Sequence, residues 1–425
     1  MSRIMKWLLV LCLPMWLVTS AVANEGVNEG VNEGANEGVN EGVNELPPLD
    51  TDDPMAMMFL LFDDDYRAIN YRTMDRFFPS ATIEAGDDVW AFAYDLRDLT
   101  ETYTFQGETA YVDEFLERTE TTSLIVSQRE TIRFEAYFQG YDDTAQATSW
   151  SVAKSFVSAL IGIAVNEGLI DSVDDPISDY VPRLTGSGYE GVPIVDVLTM
   201  SSGVAFNEDY DDPDADVNMI FVQMMGFQRP IDDYIASLER AREPGVFNEY
   251  VSSDTHALAM LLEAVTGTPL AELAQAELWE PLGMESDAFW STDRHGQAIG
   301  FCCLNAVPRD YLRFGTLYAN EGQREGQQIV PRQWVIDSVN PTAPHLQPGD
   351  NPDSSWTLGY GYKWWIPEEP RGDFLAIGVW GQYIYVDPTR DVVIVKTSTD
   401  YFFDENDIET IAVFRAIADD FASAP

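Results

Sequence analysis

Hydrophobic and polar residues alternate along a segment in the first third of the chain. In TIRFEAYF (131–138), the apolar residues Ile, Phe, Ala and Phe alternate with Arg, Glu and Tyr. A period of two places successive side chains on opposite faces of a β-strand, so one face of this strand is predicted to be buried. The apolar segment SLIVSQR (123–129) precedes it directly. Together the two segments predict a β-hairpin.

Further strands and a long helix are predicted near the C-terminus. The segment 381–398 consists of two β-rich runs joined at Asp387–Arg390, and residues 406–421 carry apolar side chains at helical spacing. The residues between, roughly 170–340, are mostly helix and loop. This order predicts an α+β fold in the broad α/β class. We expect one antiparallel sheet made from both chain ends, flanked by helices, with a helical lobe beside it.

A helix predicted over residues 151–168 has an unusual composition. It is strongly apolar, it ends at Gly168, and it contains one cation, Lys154, with no other charge before Glu167. A surface helix would carry several charges on its outer face, so this helix is predicted to be buried. The lysine is one of only four in the chain and is the only one with a serine three positions before it.

Ser151 and Lys154 form a candidate nucleophile and base. Residues i and i+3 lie on the same face of a helix, and a serine at the N-terminus of a helix is exposed beside free backbone N–H groups. Burial lowers the pKa of a lysine, and an uncharged lysine accepts a serine proton. The chain has no G-x-S-x-G or H-E-x-x-H motif and only three histidines. The alternative is that this common short pattern arises by chance around an ordinary lysine.

The charge balance restricts the class of partner. The 425 residues include 72 acidic and 24 basic residues, which gives a net charge of −48. A surface this negative argues against nucleic acid and against anionic lipid as partners. We expect a hydrated acidic surface that keeps the protein soluble, the alternative being an acidic face for a cationic partner.

The N-terminal region divides into three predicted segments. Residues 1–23 have a basic start, an apolar run and an Ala-Val-Ala end, typical of a signal peptide, so we expect export to the periplasm or medium. No membrane span is predicted in the mature chain. Residues 24–54 begin with five NEG(V/A) repeats and predict an acidic linker. Residues 55–110, rich in aromatics, predict an extension packed on a main domain at 111–425.

Cys302 and Cys303 are adjacent in the sequence. They are either buried thiols or a vicinal disulfide, and we expect buried thiols because neither has a partner elsewhere in the predicted domain. Two cysteines and three scattered histidines do not predict a zinc site. No metal or organic cofactor is predicted.

The segment SWSVAKSF (149–156) resembles the nucleophile motif of the serine β-lactamase and penicillin-binding protein superfamily. Further motifs follow in the family order, and the resemblance covers about residues 110–400. They resemble the esterase and amidase branch of the class C β-lactamase-like proteins more than the β-lactamases proper. The motifs are IGIAVNEGLIDSVDDPISDYVPRL, VDVLTMSSGVAFNEDYDDPDAD, EPGVFNEYVSSDTHALAMLLEAVTG, WEPLGMESDAFW, CCLNAVPRDYLRFG, GYGYKWW and GVWGQYIYVDP.

The resemblance implies a β-lactamase/transpeptidase-like fold and a role for each matching residue. Ser151 corresponds to the acylated nucleophile, and Lys154 corresponds to its general base. Tyr250, in Tyr250-Val251-Ser252, corresponds to the family's conserved-motif tyrosine that shuttles protons between nucleophile, lysine and leaving group. The backbone N–H groups of Ser151 and Gln382 correspond to the oxyanion hole.

Four residues are implied to bind substrate: Tyr210, Ser252, Trp380 and Gly381. Ser252 stands where β-lactamases have Asn, and Val379-Trp380-Gly381 stands where they have Lys-Thr-Gly. The missing lysine normally meets the carboxylate of a β-lactam, so a neutral or cationic ester or amide is favoured. Trp364 and Trp365 are further candidates for the pocket wall, together with Trp380.

The sequence therefore predicts a serine hydrolase that acts on a small ester or linear amide. One alternative is a β-lactamase or D,D-peptidase, against which the missing lysine counts. Another is a binding or sensor module that keeps the fold without turnover, against which the intact Ser151, Lys154 and Tyr250 count. The oligomeric state is left open.

Overall fold

One sheet of eight strands dominates the computed structural model, which describes residues 45–50 and 53–423. The strands of the described residues are β1 Ser80–Ile83, β2 Ala93–Tyr94, β3 Thr102–Phe105, β4 Glu108–Tyr111, β5 Thr121–Gln128, β6 Thr131–Tyr137, β7 Ala147–Thr148, β8 Ala288–Ser291, β9 Leu304–Ala306, β10 Gln323–Arg324, β11 Gln327–Gln328, β12 Gly359–Tyr360, β13 Trp365–Ile366, β14 Phe374–Gly378, β15 Gln382–Asp387 and β16 Val392–Ser398. In the large sheet they lie in the order β12-β13-β14-β15-β16-β5-β6-β2.

Both ends of the chain contribute to this sheet. The hairpin β5–β6 comes from the N-terminal half, and the ribbon β14–β15–β16 comes from the C-terminal quarter. The two meet where β16 pairs antiparallel with β5, with Lys396 opposite Leu124. Only the edge pair β2–β6 is parallel. The predicted antiparallel sheet made from both chain ends is therefore confirmed.

Helices pack on the sheet, and most of them come from the stretch of chain between β6 and β12. The α-helices of the described residues are α1 Pro54–Leu61, α2 Arg67–Asn70, α3 Val112–Arg118, α4 Ala153–Asn166, α5 Ile177–Tyr180, α6 Ile194–Leu198, α7 Asp216–Phe221, α8 Ile231–Ile235, α9 Ser252–Thr266, α10 Leu270–Ala274, α11 Glu280–Leu282, α12 Pro308–Ala319, α13 Arg332–Val339 and α14 Phe403–Ser423. Short 3₁₀ and π segments extend or connect several of them.

The predicted apolar helix is α4, and it lies in the core. Every residue from Ala153 to Ala164 is buried, including Lys154. At Gly162 an added Cβ would lie 2.4 Å from the Trp334 ring, so this helix and α13 approach closely only because no side chain intervenes. The chain leaves the helix through Gly168, which has φ +74°. Burial on all sides explains why the helix carries so few charges.

A second sheet was not predicted from the sequence. It has four short strands in the order β1-β8-β9-β7, all paired antiparallel. Because β8 and β9 are buried along their whole length, they show no alternation of apolar and polar residues. The last pair, β9–β7, leads the chain directly to Ser149.

The segment predicted as an N-terminal extension packs beside the start of α4. Phe62 stacks between Trp150 and Trp380, with centroids 6.0 Å and 5.9 Å away. Tyr71 meets the same two indoles edge-on. These aromatic contacts hold the residue before Ser151 against the strand end at Trp380.

The predicted signal peptide (1–23) and the tandem repeats lie outside the described residues, so both stay predictions. No single helix of the described part is long and apolar enough to cross a membrane. The helices Ser252–Thr266 and Leu270–Leu282 meet the length and composition criteria only as a pair bent by 80°.

Candidate active site

The serine singled out by the sequence lies directly before α4. Ser151 is part of a 3₁₀ turn, Trp150–Val152, that continues into the helix at Ala153. One turn further on, the Lys154 Nζ atom lies 2.8 Å from the Ser151 Oγ atom. Lys154 is 1% exposed and Ser151 is 8% exposed. The structure therefore brings the predicted serine and lysine together at the border of the core.

Burial changes the protonation of Lys154. It lowers the pKa of the lysine from its usual 10.5 to about 7, while the negative charge of Glu208 raises it in part. The two hydrogen-bond acceptors of Nζ are neutral: Ser151 Oγ, and the Phe301 carbonyl oxygen at 2.9 Å. They replace only part of the hydration that the ammonium loses. Near neutral pH a large fraction of Lys154 is therefore an uncharged amine that accepts a proton.

Tyr250 completes the polar cluster around Ser151. It lies in a loop just before α9, and its ring stacks on Trp365 at 5.4 Å. The Lys154 Nζ atom lies 4.9 Å from the Tyr250 ring centroid. Burial and the charge of Glu208 raise the pKa of the Tyr250 phenol far above its usual range. The phenol thus stays protonated at neutral pH and can give up a proton only while receiving another.

A cavity of about 300 Å³ opens over Ser151 and Tyr250. Most of its wall is aromatic or aliphatic: Trp356, Leu358, Trp365, Ile377, Val379, Trp380, Tyr401, Phe402 and Phe403. The charged residues that line it are all acidic: Glu208, Asp209, Asp211, Asp404, Glu405 and Asp407. Among the described residues, no lysine or arginine lines the cavity. Such a site favours neutral or cationic groups over anions.

Glu208 is a site residue that the sequence analysis missed. Its carboxylate accepts hydrogen bonds from the Ser252 N–H and hydroxyl, at 2.8 and 2.5 Å, and from the Tyr210 hydroxyl, at 2.8 Å. Burial raises the pKa of Glu208, and Lys154 together with these donors opposes that change. The only sequence signal was its position in the NEDY segment. Five aspartates follow within the next eight residues, so the sequence did not distinguish Glu208 from the acidic residues of a solvated loop.

The end of strand β14 runs past the N-terminal turn of α4. A Cβ added to Gly378 would lie 2.6 Å from the Ser149 carbonyl oxygen and 3.1 Å from the Ser151 nitrogen. Val379 follows directly and lines the cavity beside Ser151. Gly378 therefore allows the strand backbone to approach Ser151 closely, and the next N–H along the chain is that of Val379.

This geometry corrects the predicted alignment of Val379-Trp380-Gly381 with the Lys-Thr-Gly of the β-lactamases. A Cβ on Gly381 would meet Ser398, Asp400 and Lys396, on the side of β16 rather than of Ser151. The Gln382 side chain donates to the Trp380 and Ser398 carbonyls, and neither Gly381 nor Gln382 lines the cavity. The prediction was three residues out of register because the hairpin turn between β14 and β15, which the sequence did not reveal, decides which residue faces Ser151.

The other predicted substrate residues divide into two groups. Tyr210, Trp380 and Trp365 line the cavity as expected. Ser252 lies outside the lining, where it binds Glu208 instead. Trp364 is wrong as a pocket residue, because it is 0% exposed and packs on Tyr318 in the core.

Cys302 and Cys303 form a vicinal disulfide, which corrects the expectation of two buried thiols. Both residues are buried, and Cys303 has φ +69°. The expectation failed because it assumed that a disulfide needs a distant partner. The bridge directly follows Phe301, whose carbonyl holds Lys154.

Most of this chain is similar to one known protein family. The β-lactamase family model matches residues 109–416, which is well over half of the chain. The chain belongs to the β-lactamase family. The predicted superfamily is therefore confirmed.

Relatives place the chain in the predicted branch of that family. The 6-aminohexanoate-dimer hydrolase of Paenarthrobacter ureafaciens is 30% identical over 296 residues, which cover 68% of this chain and 75% of the relative. A Bacillus anthracis structure described as a candidate 6-aminohexanoate-dimer hydrolase has TM-score 0.78 and 24% identity, and covers 86% of this chain and 97% of its own. The structure of EstCE1, described as a hydrolase with promiscuous acyltransferase activity, has TM-score 0.57 and 14% identity. The match covers 72% of this chain and 96% of EstCE1.

At 24% and 14% sequence identity, the two solved structures show that the fold is shared and do not indicate the substrate. The family match and the curated relative show that this β-lactamase-family chain is a serine hydrolase.

Proposed function

We propose that this β-lactamase-family hydrolase cleaves a small ester or linear amide through an acyl-enzyme on Ser151. One observation carries the proposal: a buried lysine with a pKa lowered to about 7 lies 2.8 Å from the serine hydroxyl. A buried lysine with only a structural role would gain stability from a carboxylate partner, whereas Lys154 contacts neutral oxygens. A lowered pKa at hydrogen-bond distance from a hydroxyl is what nucleophile activation requires.

In the acylation step, uncharged Lys154 accepts the Ser151 proton as Oγ attacks the substrate carbonyl carbon. The bond from that carbon to the leaving oxygen or nitrogen then breaks. Tyr250 donates its proton to the leaving group and recovers one from the Lys154 ammonium, so Tyr250 ends the step unchanged and Lys154 is again neutral. A water molecule repeats the sequence in deacylation, giving its proton to the same base and releasing the acid from Ser151.

Two backbone N–H groups are proposed to stabilise the negative charge on the carbonyl oxygen. One belongs to Ser151, at the N-terminal turn of α4, where the helix dipole assists. The other belongs to Val379, because β14 passes the Ser151 nitrogen at Gly378 and Val379 faces the cavity. This assignment replaces Gln382.

The proposed substrate is neutral or positively charged, with an apolar segment between its charge and the scissile bond. The aromatic wall fits the apolar segment, and Asp404, Glu405 and Asp407 at the start of α14 fit a cation. An anionic substrate such as a β-lactam would meet repulsion without a compensating lysine or arginine in the described lining. This supports an esterase or amidase over a β-lactamase.

Labelling with a fluorophosphonate tests the mechanism. We expect one adduct on the mature wild type, mapped to Ser151 by intact and peptide mass. Ser151→Ala should give none, and both Ser151→Ala and Lys154→Met should lose p-nitrophenyl butyrate hydrolysis. An adduct on another serine, or full activity without Lys154, would contradict the proposal.

Matched p-nitroanilides test the substrate class. Butyryl, 4-aminobutyryl and succinyl anilides differ mainly in charge, and we expect kcat/KM to be highest for the cation and lowest for the anion. The double variant Asp404→Asn, Glu405→Gln should narrow the difference while leaving the neutral substrate unchanged. A chromogenic cephalosporin should not be hydrolysed. Its rapid turnover would instead support the β-lactamase alternative.

The site of action is proposed to be the periplasm or the medium, on the evidence of residues 1–23. N-terminal sequencing of the protein from cell fractions tests this, with cleavage expected after Ala23. Recovery only as an uncleaved cytoplasmic chain would contradict it.

A further inference from the structure

The side chain of Lys154 depends on a backbone carbonyl for its position. Its four-carbon stem is flexible, and of its two acceptors only the Phe301 carbonyl, at 2.9 Å, belongs to another part of the chain. Whatever fixes Phe301 therefore fixes Nζ relative to Ser151. The Phe301 ring adds to this, because Nζ lies 5.6 Å from its centroid.

Phe301 is held through its neighbour Gly300. The Gly300 N–H donates to His256 Nδ1 at 3.2 Å, and the His256 side chain is fully buried. A Cβ on Gly300 would lie 2.5 Å from the Ala259 Cβ, so this segment lies against α9 with no room for a side chain. The hydrogen bond to the imidazole and the close contact with α9 together fix the position of the backbone at residues 300–301, and with it the position of the Phe301 carbonyl oxygen.

The second ring nitrogen of His256 is also occupied. Nε2 lies 3.0 Å from Asp232 Oδ1 on α8, and the other Asp232 oxygen binds Arg183 at 3.0 Å. Because Gly300 donates to Nδ1, that nitrogen carries no proton, and the ring proton sits on Nε2 and points at Asp232. The carboxylate thus selects the tautomer that accepts from Gly300.

The same segment also contacts the residues on the other side of the nucleophile. The Ser149 N–H donates to the Leu304 carbonyl at 2.7 Å, and the Leu304 N–H donates to Ser149 Oγ at 3.1 Å. Residues 300–304 therefore contact Lys154 at one end and the chain two residues before Ser151 at the other. A shift of this segment would move base and nucleophile relative to each other.

We propose that His256 is a positioning residue for the acylation of Ser151. With Asp232 it fixes residues 300–304, and so holds the Lys154 Nζ at hydrogen-bond distance from the serine hydroxyl. His256 does not line the cavity and touches no reacting atom. The inference rests on the proposed acyl-enzyme mechanism. A misplacement of about 1 Å at a catalytic group commonly costs about a hundredfold in rate, so the effect is large enough to measure.

Two variants separate positioning from packing. In His256→Asn, the amide oxygen stands where Nδ1 was and still accepts from Gly300. In His256→Gln, the amide nitrogen stands where Nε2 was and still meets Asp232, but the acceptor for Gly300 is lost. The two side chains are similar in size and polarity, so a role in packing alone predicts similar losses.

The measurement is the rate of Ser151 labelling by fluorophosphonate, with kcat/KM against pH and the melting temperature. We expect His256→Asn to label within about threefold of wild type, and His256→Gln to label about 10- to 100-fold more slowly. The acidic limb of the His256→Gln pH profile should also move, because Lys154 loses its carbonyl partner. Equal losses in both variants that follow their melting temperatures, with unchanged pH profiles, would overturn the proposal.

Asp232→Asn provides a second test if a His256 variant fails to fold. The buried imidazole stays, while the carboxylate that selects its tautomer becomes an amide. Because Asp232 also binds Arg183, we expect some loss of melting temperature together with slower labelling at temperatures where the variant is fully folded. An unchanged labelling rate there would overturn the proposal. A wild type that does not label at Ser151 at all would instead refute the acyl-enzyme mechanism itself.

Discussion

Replacing Lys154 with methionine should abolish activity and yet stabilise the folded protein in mildly acidic solution. Methionine keeps an unbranched apolar side chain of similar length in the same buried space. It removes an ammonium that is 1% exposed and whose hydrogen-bond partners are two neutral oxygens. A lysine whose pKa has been lowered by burial is held at a cost to stability, and this variant measures that cost.

The magnitude follows from the pKa of the lysine. Lowering it from 10.5 to about 7 corresponds to about 5 kcal/mol, at about 1.4 kcal/mol per pKa unit. The folded-state pKa lies below the unfolded one, so the cost is present in full below about pH 7. It shrinks as the pH rises towards 10.5, because there only the unfolded chain holds the proton. It is about 5 kcal/mol near pH 6 and about 2 kcal/mol near pH 9.

Methionine also forfeits two hydrogen bonds, worth about 1 kcal/mol each. The net gain in the free energy of unfolding should therefore be about 3 kcal/mol near pH 6 and close to zero near pH 9. For a folded part of this size, about 3 kcal/mol corresponds to about 4 °C in melting temperature. The difference between the stabilisation at pH 6 and at pH 9 depends only on the pKa of the lysine, because the loss of hydrogen bonds is the same at both pH values.

Thermal or urea unfolding of wild type and Lys154→Met at several pH values measures this difference. Ser151→Ala is the matched control, since it is equally inactive but keeps the lysine, and its difference from wild type should not vary with pH. If the difference for Lys154→Met is also constant between about pH 6 and pH 9, the pKa of Lys154 is not lowered. The general-base role would then lose its physical basis.

Three further predictions concern the surroundings of this pair. Glu208→Gln removes the charge that raises the pKa of Lys154, so the acidic limb of the pH profile of kcat/KM should move to lower pH. An unmoved limb would show that Glu208 does not influence the pKa of the lysine. Tyr250→Phe should slow acylation by about a hundredfold or more with little change in melting temperature, as measured by burst kinetics. A rate within twofold of wild type would exclude the phenol from proton transfer. Finally, the denatured mature chain should show no free thiol and should gain two on reduction, since Cys302 and Cys303 are bridged; a reagent-reactive thiol before reduction would contradict the disulfide.

Local patterns in the sequence predicted the elements around the site well. Alternation located β6, and the apolar run with a single cation located α4 and placed Lys154 in the core. Both patterns arise because one face, or the whole surface, of the element is buried. Burial also explains why strands β8 and β9 were missed. Both are short and buried on both faces, so their sequences show no alternation of apolar and polar residues.

The site residues that were missed come from contacts distant in sequence. Glu208 meets Ser252, 44 residues away, and only the folded loop brings it beside Lys154. Which residue after β14 faces Ser151 depends on the hairpin turn between β14 and β15, and an error of three residues there exchanged Val379 for Gln382. Phe301, 147 residues from Lys154, gave no signal at all because it contributes a backbone carbonyl.

The sequence by itself predicted that the Ser151 and Lys154 side chains lie side by side, because the two residues are one helical turn apart and their distance follows from helix geometry alone. It also determined the sheet made from both chain ends and the acidic character of the protein. Only the tertiary structure decided the pKa of Lys154 and the position of its Nζ atom. Both depend on Glu208 and on the Phe301 carbonyl, which come close to the lysine from separate segments. Burial, which lowers the pKa of the lysine, is likewise a property of the whole fold rather than of any segment.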